Sequence, residues 1–75
     1  MKYVIMKSGL GDYWIGKFNE KKMDLPKKAE AFDDYEDALE EALALNDSIE
    51  NQDELESIEE DEIEELNENM LKWIV

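Results

Sequence analysis

Two short apolar runs with a two-residue period open the chain. Lys2 to Lys7 and Tyr13 to Phe18 are rich in β-branched and aromatic residues, and the loop between them, Ser8-Gly9-Leu10-Gly11-Asp12, holds two glycines able to take positive φ. The pattern predicts a β-hairpin. Alternation sets Tyr3, Ile5, Tyr13 and Ile15 on one face and Val4, Met6, Trp14 and Phe18 on the other. Both faces are then largely apolar. One helix covers one of them, so the other needs a second cover or a partner.

Asn19 to Lys28 is a polar, lysine-rich connection with Pro26 near its end and no periodicity, and Ala29-Glu30-Ala31-Phe32 is able to add a short third strand. Asp33 with Glu36 three residues later has the form of a capping box. Tyr35, Ala38, Leu39, Ala42 and Leu43 then recur at helical spacing, which predicts an amphipathic helix over residues 33–46.

Beyond it, residues 47–75 read as an acidic helical segment with an apolar end. Between Glu50 and Glu68 there are eleven acids and no base. Glu and Leu favour helix, and the recurrence of Leu55, Ile58, Ile63 and Leu66 argues for order against the disorder that such composition invites. A single straight helix carries a conflict, however. On a wheel of about 100° per residue with Leu55 at zero, Leu66 and Trp73 fall within about 20° of it, while Glu59 lies near about 40° and Glu62 near about −20°. Burying those carboxylates costs several kcal/mol. A break near Glu60-Asp61, a projecting middle, or docking through Ile63, Leu66, Met70 and Ile74 alone would each relieve it. The expectation is helix into the region of Asn67, with residues 70–75 open between helix and strand. The expected fold class is therefore α+β, with the hairpin packed on the amphipathic helix inside a single small domain whose hairpin and connection occupy 1–32.

Charge changes the picture more than size does. The 75 residues carry a net charge of −14, unevenly placed. Residues 1–28 hold seven lysines against Asp12, Glu20 and Asp24, whereas residues 29–75 hold nineteen acids against Lys72 alone. Such a second half repels nucleic acid and acidic membranes and attracts basic surfaces. With no Cys and no His, disulfides and the usual zinc ligand sets are excluded, so stability has to come from a compact core or from association. No apolar run approaches the roughly 18 residues of a membrane span, and the opening run is too short for a signal peptide. The expectation is a soluble, cytoplasmic protein.

Catalytic chemistry finds little to work with. Ser8, Ser48 and Ser57 stand in no nucleophile-elbow sequence, and Ser8-Gly9-Leu10-Gly11 lacks the Gly-Lys-Ser/Thr ending of a phosphate loop. Neither acidic run has the central glycine of a calcium-binding loop. The expectation is a non-enzyme without cofactor or metal. Aromatic stacking by Tyr13, Trp14 and Phe18 with lysines on phosphates would suit single-stranded nucleic acid, but edge lysines that protect strands and aromatics that fill a core explain the same residues, and the acidic half opposes nucleic acid.

The acidic segment is the leading candidate for function. As a helix, Glu50 to Glu68 would span about 28 Å. Its carboxylates would then repeat every ~2.6 Å, between the ~1.7 Å of duplex phosphates and the ~3.4 Å of one strand. A solvated helix face that keeps the chain soluble is the plain alternative. Against it, the segment forgoes the i,i+4 Lys or Arg partners that exposed helices gain from. Tyr3-Val4-Ile5, Gly11-Asp12-Tyr13-Trp14 and Ala31-Phe32-Asp33-Asp34-Tyr35-Glu36-Asp37-Ala38-Leu39 resemble the short hairpin-then-helix proteins of bacteriophages and mobile elements. The acidic remainder is similar in charge and size to phage-encoded DNA-mimic inhibitors of the anti-restriction and anti-CRISPR kind. That resemblance implies a stoichiometric inhibitor of a basic nucleic-acid-binding protein, a host nuclease or effector complex, contacted through Glu54, Glu56, Glu59, Glu60, Glu62, Glu64 and Glu65. The alternative is an interaction module or homodimer that uses the apolar hairpin face around Trp14 and Phe18.

Overall fold

The computed structural model describes residues 1–70. Strands β1 (Lys2–Lys7) and β2 (Tyr13–Phe18) form the expected antiparallel hairpin, pairing Ile5 with Ile15 and Met6 with Trp14. The loop closes on Ser8, whose N–H donates to the Asp12 carbonyl at 2.7 Å and whose Oγ accepts from the Leu10 and Asp12 N–H groups. Gly11 takes φ of 95°, a region glycine enters without steric cost. A two-residue β3 (Ala31–Phe32) joins the other edge of β1, so the sheet order is β2-β1-β3 with all pairs antiparallel.

Helix α1 (Tyr35–Leu45) lies on one face, with Ala38 and Ala42 fully buried against the sheet and Tyr35, Leu39 and Leu43 packed around them. Small residues at the contact let the helix approach closely. The stripe is the expected one, but the start differs. Asp34, not Asp33, is the N-cap residue, and its side chain makes no capping bond. Asp33 instead pairs with Lys2 at 3.6 Å, so the expected Asp33–Glu36 box does not form.

Helix α2 (Ile49–Ser57) follows after a short turn, with Ser48 Oγ accepting from the Asn51 N–H at 3.1 Å as its N-cap. It ends at Ser57, well short of the region of Asn67, and the expectation of a long acidic helix is corrected here. The wheel conflict explains the break. Past Ile58 the chain makes a single turn of 3-10 helix, η1 (Glu60–Glu62), in which Glu59 and Glu62 cap one another reciprocally and both stay exposed. Two carboxylates that would have entered an apolar stripe terminate a turn in water instead. The choice between helix and strand for 70–75 falls almost entirely on residues 71–75, outside the described residues.

After η1 the chain runs extended along the free edge of β2. Lys17 donates to the Glu64 carbonyl at 2.9 Å and accepts from the Leu66 N–H at 2.8 Å, a single parallel bridge. Ile63 drops into the helix-side core with Ile5, Ile15 and Leu55. Leu66 drops over the opposite face, with Val4 and Phe18, onto Gly16, where a β-carbon would stand 2.5 Å from a Leu66 methyl. The segment thus straddles the sheet edge. Met23 and Leu25 from the lysine-rich connection pack against the same cluster, so Val4 and Phe18 on the second face are covered by the chain itself, while Met6 and Trp14 stay half-exposed.

Candidate protein-binding surface

The helices place the acids. Because α1, α2 and η1 share the Ile5–Ile15 face of the sheet, their outward positions form one layer, and no Lys or Arg occurs between residues 29 and 70. Among the described residues the lysines lie in β1, β2 and the connection, and the connection covers the other face. Two of the four described lysine contacts with acids or rings cross between these regions: Lys2 pairs with Asp33 and Lys22 with Glu65, each at 3.6 Å, whereas Lys2 with Glu20 at 3.7 Å and Lys7 over the Tyr13 ring stay within the basic part.

All seven acids expected as contacts are exposed, yet the structure divides them. Glu59 and Glu62 are occupied with capping, and with Asp61 they bring carboxylate oxygens within 4.8 Å of one another. All three are exposed, as a tight acidic turn in water requires, and nothing encloses them as a metal cage would. Glu60 accepts from the Tyr3 hydroxyl at 2.6 Å, and Glu65 pairs with Lys22. Glu54, Glu56 and Glu64 have no side-chain partner among the described residues. The seven do not line up along one axis, since α2 supplies only Glu54 and Glu56 to them and η1 and the edge segment the rest. The 28 Å rod with phosphate-like repeat is therefore not formed.

Sequence reasoning missed the acids of α1. Asp34, Glu36 and Asp37 meet Glu60 around Tyr35 in an open, polar depression of about 340 Å³. The signal was present as the run Asp33-Asp34-Tyr35-Glu36-Asp37, but only the docking of η1 against the start of α1 brings Glu60 to it. Two tyrosines hold that corner. Tyr35 donates to the Ile58 carbonyl at 3.1 Å, and its ring meets Tyr3 edge-on at 5.7 Å between centroids. The Tyr3 hydroxyl is held above its ordinary pKa by its bond to Glu60, then by burial and the Glu60 charge; burial chiefly raises that of Tyr35.

The apolar alternative fares differently. Phe18 is 2% exposed and packs with Val4 and Leu66, so of the two residues expected at a free hairpin face this one is buried. Trp14 is half-buried and lines a cavity of about 280 Å³ with Met6, Tyr35, Leu55, Ile58 and Ile63. Among the described residues, no helix is long and apolar enough to cross a membrane. No protein-family model, curated protein or solved structure matches the chain.

Proposed function

We propose that this chain is a non-enzymatic inhibitor that lays its acidic helical layer onto the basic nucleic-acid path of a nucleic-acid-handling protein, an anti-defence DNA mimic of the phage type acting in the host cytoplasm. One observation carries the reading: every outward-facing charge contributed by α1, α2 and η1 is negative, and among the described residues the lysines that neutralise part of the total are kept to the sheet and the connection. A layer of fixed carboxylates gains the same steering and counterion-release terms on a basic channel that nucleic acid gains. The absence of a continuous rod shifts the mimicry from regular phosphate spacing to a patch spread over several elements. It also selects the contact acids. Glu54, Glu56 and Glu64, with Glu40 on the exposed side of α1, are free of structural duties, whereas Glu59, Glu60 and Glu62 hold the corner together.

The test immobilises the chain, captures proteins from a bacterial lysate at low salt, and asks whether duplex DNA displaces them. The expected result is elution by DNA and by moderate salt, with a shallower salt dependence after Glu40, Glu54, Glu56 and Glu64 are all changed to Gln. Retention that ignores both saturating DNA and these substitutions overturns the reading.

A further inference from the structure

Large aliphatic side chains left in water are few in the described residues, and they are not scattered. Leu10 is 92% exposed, Ile49 76% and Leu45 39%; Met1, at the start of the chain, is the other. Leu10 is the tip of the hairpin loop, Leu45 the last residue of α1 and Ile49 the first of α2. Three contacts bring these points to one pole. Asn46 accepts from the Tyr13 N–H at 2.8 Å and donates back to the Tyr13 carbonyl at 3.2 Å, while the Asn51 amide donates to the Asp12 carboxylate.

Leu45 also lines a shallow depression with Ile5, Tyr13 and Phe32, but neither Leu10 nor Ile49 is needed where it stands. The loop conformation is set by Ser8 and by Gly11, so any residue would serve at position 10. Ile49 follows the Ser48 cap, a position where the capping bond and not the side chain starts the helix. A leucine presented on a loop closed by four hydrogen bonds is already ordered before anything meets it, so little conformational entropy is lost on contact. Isolated exposed leucines are ordinary; a group of them at one preorganised pole is the pattern of an interaction site.

The surroundings identify the occupant. Asp12, Asp47, Glu50 and Asp53 rim the pole, and the nearby Lys7 lies over the Tyr13 ring. A second copy would bring the same acids face to face, and an anionic membrane would repel them. We propose that Leu10, Leu45 and Ile49 form a docking epitope that enters an apolar depression, rimmed by Lys or Arg, on a partner protein. This goes beyond the acidic layer, because the aliphatic part of the contact at the pole is not screened by salt, whereas contact through the layer is carried by charge alone.

Photo-crosslinking followed by affinity measurement tests it. Benzoylphenylalanine is placed at Leu10, at Ile49 and, as a control on the connection, at Lys27. The same protein is expected to crosslink from positions 10 and 49 and not from 27, through a peptide with apolar residues flanked by Lys or Arg. With that protein purified, Leu10→Ser and Ile49→Ser together are expected to weaken binding by about 30-fold or more at both low and high salt, with the melting temperature of the chain unchanged. The Gln variants of the acidic layer should alter the salt slope instead, so the two readings fail separately. The epitope is overturned by an adduct between two copies of this chain, by adducts with lipid, by no protein adduct common to both positions, or by undiminished binding of the double variant.

Discussion

Tyr3 shows how one side chain ties a long acidic run to the sheet. Its hydroxyl reaches from β1 to Glu60 at 2.6 Å, and its ring meets Tyr35, whose own hydroxyl holds the carbonyl of Ile58 where α2 has ended. Only the protonated phenol donates this bond, and a phenolate would face the Glu60 carboxylate, which is why the Tyr3 pKa stands above 10.0. The sign of the linkage follows. The folded chain holds this proton more tightly than the unfolded chain, so its stabilising contribution is complete below about pH 10 and is lost as pH rises through the raised value. Tyr35 is raised as well, chiefly by burial, and adds to the same alkaline decline. Urea-unfolding midpoints measured from about pH 8 to about pH 11 should fall with pH in the parent and fall less steeply in Tyr3→Phe. Equal slopes would show that the Tyr3–Glu60 bond does not form in solution.

At the level of elements, the chain ends its helices and guards its sheet edge with a few polar side chains. Asn46, 5% exposed, behaves as a one-residue strand partner: it accepts from and donates to Tyr13 at one end of the β2 edge, while Glu64 and Leu66 bond Lys17 at the other. Gln52 donates to the carbonyls of Leu43 and Asn46, closing α1 where no basic residue stands in its last turn. Replacing Asn46 by Ala leaves the part-buried N–H and C=O of Tyr13 without these partners, and should cost about 1 kcal/mol or more in urea unfolding and speed hydrogen exchange at the Tyr13 amide. A change confined to exchange, with stability intact, would mean water takes the place of the amide. The hairpin and the stripe of α1 were legible in the sequence because period-two and helical spacing are local signals with one solution each. The third strand was legible only as an apolar pair before the helix. Residues past Ser57 were not, since Leu55, Ile63 and Leu66 fit a helical stripe on the wheel although they serve three different elements. The misplaced Glu59 and Glu62 marked the true break, but propensity alone favoured helix. Gly16 was visible as a glycine inside a strand; that Leu66 fills the space above it is a long-range fact that no local pattern encodes.

For the molecule as a whole, the acidic layer is an electrostatic load of which the fold uses only part: Glu59 and Glu62 cap η1 and Glu60 holds Tyr3, while Glu40, Glu54, Glu56 and Glu64 have no such role. Helix α1 has acids in its first turn, where the helix dipole favours them, but the acids of its later turns, of α2 and of η1 face one another across solvent with no interleaved base. Self-repulsion of this kind is long-ranged and screened by salt, with a reach that shrinks from about 10 Å at 0.1 M to about 3 Å at 1 M. Sodium chloride should therefore raise the melting temperature of the chain, and the rise should be smaller once Glu40, Glu54, Glu56 and Glu64 are Gln. A rise of equal size in both would assign the salt effect to apolar burial instead. The same repulsion bears on function. On the proposed reading, a basic partner seated on the layer would remove it at the moment of binding, and part of the binding free energy would come from relief of repulsion already present in the free chain. Differential scanning calorimetry with short polylysine, at fixed ionic strength, should raise the melting temperature of the parent more than that of the Gln variant. If the two respond alike, the layer serves solubility alone, and its one-signed charge needs no partner to explain it.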